Sequence, residues 1–132
     1  MLQALYQWQS TGMAAKDIEA QFRKEFVGKT DWVFFHAVLP KVVQSCAQLD
    51  AQLEPCLDRK IAALDPVEKA LLRLGTFELE HRLDVPYRVV INEYVELAKV
   101  FGATDGHKYI NGILDRLAKT LRPASSDAKA GE

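Results

Sequence analysis

A chain of 132 residues can bury one real core but not two independent ones. Its 17 Lys and Arg against 18 Asp and Glu leave no global field to draw the whole domain onto nucleic acid or an anionic membrane, so any affinity for a polynucleotide must be local. No apolar run approaches the roughly 18 residues that span a bilayer, and Met1 is not followed by the basic and apolar regions of a signal peptide, which points to the cytoplasm.

Residues from Met1 to about Ser10 read as a helix with Leu2, Ala4, Leu5, Tyr6 and Trp8 inward, ended near Gly12. It has no N-cap and no charged side chain before Lys16, so the chain begins inside a helix rather than ahead of one. Ala14 to Phe26 gives a second helix, with Ile18, Phe22 and Phe26 on one side. Asp31 can cap a long third helix whose residues Phe35, Leu39, Val42, Cys46, Leu49 and Leu53 alternate steps of four and three. That spacing is a helix-packing seam, read as an intramolecular core rather than a coiled-coil dimer. A homodimer through another apolar face stays open. Pro40 removes a hydrogen bond to the His36 carbonyl and predicts a local bend or break. Glu54-Pro55 interrupts the run, and Cys56, Leu57 and Ile61 continue as a short helix or turn. Cys46 and Cys56 make no metal motif and read as buried thiols rather than a disulfide.

Asp65-Pro66-Val67-Glu68 is a strong helix start, with aspartate at the N-cap, proline at the first helical position and glutamate at the third. The helix should run to about His81 and bury Val67, Ala70, Leu71, Leu74 and Phe77. Glu78 projects from the middle of that stripe, where an unpaired carboxylate is costly, so it should accept hydrogen bonds from a helix N-terminus or a basic side chain. A perturbed catalytic acid is the alternative, but no second carboxylate, nucleophile or metal cluster stands beside it in sequence. Leu83-Asp84-Val85-Pro86 turns the chain into a helix pair. In the first, Val90, Ile91, Tyr94, Val95, Leu97, Ala98 and Phe101 share an apolar arc opposite Asn92, Glu93, Glu96 and Lys99. Gly102 should end it in the left-handed conformation, and Thr104 or Asp105 should cap the next. There Tyr109, Ile110, Ile113, Leu114, Leu117, Ala118 and Leu121 face inward, and Lys108, Asn111, Asp115 and Lys119 outward. The domain should close at residue 121, leaving 122–132 as a frayed tail.

The fold class is therefore all-α. No Gly-Lys-Ser/Thr phosphate loop is present, His36, His81 and His107 lack ligand spacing, and no serine sits in a nucleophile elbow. Neither an enzyme nor a metal or cofactor is expected. What remains is a polar cluster of Asp105, His107, Lys108, Tyr109 and Asn111. Lysine at a helix N-terminus attracts phosphate, a tyrosine ring can stack on an unpaired base and asparagine can pair with base edges. A solvated helix start with a core tyrosine would account for the same residues.

A resemblance covers about Leu2 to Leu121. Leu2-Gln3-Ala4-Leu5-Tyr6-Gln7-Trp8-Gln9, Val67-Glu68-Lys69-Ala70, Leu72-Arg73-Leu74, Phe77-Glu78-Leu79, Asp84-Val85-Pro86-Tyr87, Val90-Ile91-Asn92-Glu93, Glu96-Leu97-Ala98-Lys99, Phe101-Gly102 and Lys108-Tyr109-Ile110-Asn111-Gly112-Ile113-Leu114-Asp115 occur in this order. Together they resemble the NusB family of bacterial transcription antitermination factors. The resemblance implies about seven helices in two small perpendicular bundles forming one domain. It also implies binding of the boxA element of ribosomal RNA leader transcripts together with NusE, a small-subunit ribosomal protein, in a complex that helps RNA polymerase pass terminators. A related RNA-binding module ahead of ribosomal RNA cytosine methyltransferases is the alternative it leaves. Lys108, Tyr109 and Asp105 match a surface associated with boxA, Tyr6 would lie where an arginine-rich leader joins the body, and Glu68 matches the NusE-facing side. The leader that the family carries ahead of this first helix is not found here. The missing cap favours its omission ahead of Met1 over a member that binds RNA poorly without its partner, and each lost phosphate contact should weaken binding and flatten its salt dependence.

Overall fold

The computed structural model describes residues 1–26, 28, 30–103 and 105–123, and every regular element among them is helical. Six α-helices follow one another: α1 Leu2–Thr11, α2 Ala15–Glu25, α3 Trp32–Leu53, α4 Pro66–His81, α5 Tyr87–Phe101 and α6 Gly106–Leu121. Two 3-10 turns, Glu54–Cys56 and Ile61–Ala63, stand where a short helix or turn was expected. Residues 124–132, most of the expected tail, lie outside the described residues.

Helix α4 is the centre, with α1, α3, α5 and α6 packed around it. Asp65 starts it by accepting hydrogen bonds from the Val67 and Glu68 amides at 2.9 and 3.3 Å, worth about 1 kcal/mol against alanine. Of the predicted stripe Ala70, Leu71, Leu74 and Phe77 are buried and Val67 only partly so, while Leu72, Gly75, Thr76 and Leu79 are buried as well. A helix apolar on most of its circumference belongs inside a core, not at its edge. At Gly75 the Leu114 methyl groups of α6 would come within 3.0 Å of any Cβ, so the smallest residue sets how closely α6 approaches.

The apolar interior divides in two. The larger part joins α4 to α1, α3, α5 and α6. The smaller one gathers Ala4, Ile18, Phe22, Phe35 and Leu39 between α1, α2 and α3, with the Phe22 and Phe35 rings 5.8 Å apart. All six predicted seam residues of α3 are buried, and of the bend or break predicted at Pro40 there is no break, the helix continuing through it. The missing hydrogen bond costs about 3 kcal/mol. Each large seam residue returns about 1.5–3 kcal/mol on burial, so an unbroken seam wins. Arg73 ties three helices together: its guanidinium holds both Asp50 oxygens at 2.9 and 2.8 Å and the Gln9 amide oxygen at 2.9 Å. Both cysteines are free, Cys46 buried and Cys56 partly so.

Several expectations fail at helix ends. Tyr6, Phe26 and Phe101 are exposed rather than inward; Phe26 is the residue after the end of α2 and Phe101 the last of α5. Gly102 is extended (φ −87°, ψ 177°), not left-handed. Glycine is needed there for space, since a Cβ would meet the Ala98 carbonyl oxygen at 2.7 Å. The left-handed residue is Asp105 (φ 64°), and its side chain makes no capping hydrogen bond; Thr104 lies outside the described residues. Arg122, assigned to the frayed tail, is only 6 % exposed. Its guanidinium donates to the carbonyls of Leu79 (2.8 Å), Glu78 (3.2 Å), Arg82 (2.6 Å) and Val85. These are the last carbonyls of α4 and of the turn behind it; those of Glu78 and Arg82 also accept from the Arg82 and Val85 amides, and a cation is favoured at that end of the helix dipole.

Candidate nucleic-acid interface

The first turn of α6 and the stretch between the two 3-10 turns meet at one corner of the molecule. Gly106 opens α6 against the first turn of α4, where a Cβ on it would lie 2.8 Å from Glu68 Oε1. Glu68 is 8 % exposed and turns toward α6. Burial, and then the Asp65 charge, raise its carboxyl above the ordinary range. Lys108, one turn from Asp105, holds its Nζ 3.5 Å from an Asp105 oxygen with its side chain 73 % exposed. An exposed pair of this kind holds a lysine only weakly, at about 0–1 kcal/mol.

Tyr109 is better anchored. Its hydroxyl donates to Asp58 Oδ1 at 2.8 Å across 51 residues of sequence. Arg59 donates to both oxygens of the same carboxylate, at 2.7 and 3.1 Å, and its guanidinium carbon lies 4.9 Å from the centroid of the Tyr109 ring. The Arg59 hydrogen bond, followed by that of Tyr109, brings the Asp58 carboxyl down to about 2. Partial burial and Asp58 raise the Tyr109 phenol. Arg116, two turns along α6, donates to the Cys56 carbonyl at 3.0 Å. Asp58, Lys108, Tyr109, Gly112, Ile113 and Arg116 line an open groove of about 210 Å³.

Lys108, Tyr109 and Asp105 are thus brought together. Tyr6 is exposed on α1 but has no side-chain hydrogen bond to them; α1 reaches the start of α4 through Gln9, whose amide donates to the Pro66 carbonyl at 3.0 Å. Glu68 packs against α6 instead of standing free. Asn111 turns to a different and larger concavity of about 490 Å³ between α5 and α6, shared with Arg88, Asn92 and Asp115. Asp58, Arg59 and Arg116 were not predicted. Asp58-Arg59-Lys60 is visible as a short charged run after a proline, but nothing local says that it folds onto Tyr109.

Glu78 is 6 % exposed and lines none of these concavities. Among the described residues, the expected hydrogen bond from a helix N-terminus or a basic side chain does not reach it; the nearby Arg82 charge and the Tyr94 hydroxyl are the groups that favour its ionised form. Burial, then the Glu93 charge, raises its carboxyl. A phenol can donate to a carboxylate without bringing a second full charge into the core, whose desolvation would cost several kcal/mol. Among the described residues no group of three potential metal ligands forms, and no helix is long and apolar enough to cross a membrane.

The chain is all-helical among its described residues, with lysine, arginine and a braced tyrosine around one open groove. A profile of the NusB family matches residues 1–119. The transcription antitermination protein NusB of Alcanivorax borkumensis is 57 % identical over 129 residues, covering 97 % of this chain and 86 % of that protein. The NusB of Halorhodospira halophila is 51 % identical over 132 residues, covering 100 % and 84 %. A solved structure of T. maritima NusB superposes with a TM-score of 0.77 at 26 % identity, covering 96 % of this chain and 91 % of that one. The chain belongs to the NusB family, which is not a family of enzymes.

Proposed function

We propose that this protein is a cytoplasmic transcription antitermination factor that binds boxA RNA together with NusE, as part of the complex that helps RNA polymerase pass terminators. The observation that carries the reading is the open corner, where Lys108 extends into solvent beside Tyr109 and Arg116 on one groove. With lysines and arginines nearly balanced by acids over the whole chain, a polyanion gains only from such a local arrangement. Lys108 is the first phosphate contact, Tyr109 the aromatic support, Asp105 stands beside Lys108, and Tyr6, exposed on α1, is a further RNA contact. Glu68 contributes to the NusE side by placing the first turn of α6, because its own carboxylate is largely covered.

The test is a titration of boxA and scrambled oligoribonucleotides at several salt concentrations, with and without NusE. A preference for boxA in the presence of NusE is expected, and equal affinity for the two RNAs overturns the reading. Lys108→Ala should weaken binding and lower the salt slope by about one while leaving the fold intact. Unchanged affinity would remove Lys108 from the interface.

A further inference from the structure

We propose that Arg59 is a base-stacking residue of this interface, with Tyr109 as its backing and Asp58 as its clasp, an inference that rests on the RNA-binding reading above. A guanidinium plane is a good surface for an unpaired base. An exposed arginine, however, usually has about 2 kcal/mol of rotamer entropy to lose before it can serve as one. Arg59 has already lost much of that freedom. Two of its nitrogens are held by the two oxygens of Asp58, one face lies over the Tyr109 ring, and the Tyr109 hydroxyl donates to the same Asp58 Oδ1 that Arg59 Nε holds. The side chain nevertheless remains 48 % exposed, so the assembly is ordered and open together, which lowers the cost of binding.

A purely structural role explains less. Exposed ion pairs contribute about 0–1 kcal/mol, and the stretch around Asp58 is already tied to α6 by Arg116 at the Cys56 carbonyl. Three side chains joined across 51 residues are more than that tie requires. Because Asp58 neutralises Arg59, the arginine offers its flat face rather than net charge. Lys108, in the adjoining groove, supplies the charge for phosphate.

The two contributions separate experimentally. The full chain with NusE is titrated with boxA oligoribonucleotides carrying 2-aminopurine at one position at a time, using wild type, Arg59→Lys and Arg59→Ala. Wild type should quench the fluorescence of one position strongly. Both variants should lose that quench and bind about fivefold or more weakly, with an unchanged salt slope and an unchanged circular-dichroism spectrum. Arg59→Lys binding like wild type, or a salt slope lowered by about one in Arg59→Ala alone, would make Arg59 a phosphate contact and overturn the stacking role. Wild-type affinity in both variants, with the boxA preference retained, would overturn it while leaving the functional reading in place. Absence of any boxA preference in wild type would bring down both.

Discussion

Arg122 and Arg59 are each held by several oxygens, yet they stand at opposite extremes of burial. Arg122 is 6 % exposed and its partners are backbone carbonyls at the end of α4, those of Leu79 and Glu78 in buried hydrogen bonds. Arg59 is 48 % exposed and its partners, a carboxylate and the ring of a hydrogen-bonded tyrosine, can be rehydrated at once. The same side chain therefore fastens the fold at one site and is offered to a ligand at the other. Solvent access, rather than the number of contacts, decides between the two roles.

The largest effect that should separate them is on stability. Arg122→Ala strips the Leu79 and Val85 carbonyls of their donor, while those of Glu78 and Arg82 keep a backbone N–H, and should cost about 2–3 kcal/mol, as expected when charged hydrogen bonds at buried groups are lost. A urea unfolding curve measures it, and a loss below about 1 kcal/mol would mean that the carbonyls find water and that the contrast with Arg59 is false.

Acid response should sharpen the contrast next, through Glu78 and Asp58. The folded-state pKa of Glu78 is raised by burial and by Glu93, so the folded chain binds that proton more tightly than the unfolded one. Its contribution then favours folding below the ordinary value of 4.5 and is lost as pH rises through the raised folded value. Glu78→Gln removes this dependence while keeping an acceptor for Tyr94. The stability of the variant relative to wild type should therefore increase as pH is raised from 4 toward neutrality. A constant difference would sink the assignment. Asp58 runs the other way, from 3.8 down to about 2: its contribution is present above 3.8 and is lost only as pH falls toward 2. The clasp on Arg59 thus stays ionised throughout the range in which Glu78 titrates.

The smallest expected effect is the loss of Arg59 itself, where Arg59→Ala should leave the unfolding free energy within about 0.5 kcal/mol of wild type while affecting RNA binding as described above. A thermal melt or urea curve showing a loss comparable to that of Arg122→Ala would place Arg59 among the residues that hold the fold.

The sequence by itself determined the helices, because apolar spacing and capping are properties of neighbouring residues. The Asp65-Pro66 start and the Phe35-to-Leu53 seam are both found where their spacing put them, and Lys108 stands on the exposed side of α6 as expected. Tertiary structure alone decided what happens where helices end or where distant segments meet. The exposure of Phe101, the extended Gly102, the surroundings of Glu78, the burial of Arg122 and the closure of Asp58 and Arg59 over Tyr109 were all set in this way. The reason is one of range: periodicity reports the direction in which a side chain leaves its own helix, whereas its solvent exposure and partner depend on another stretch of chain tens of residues away.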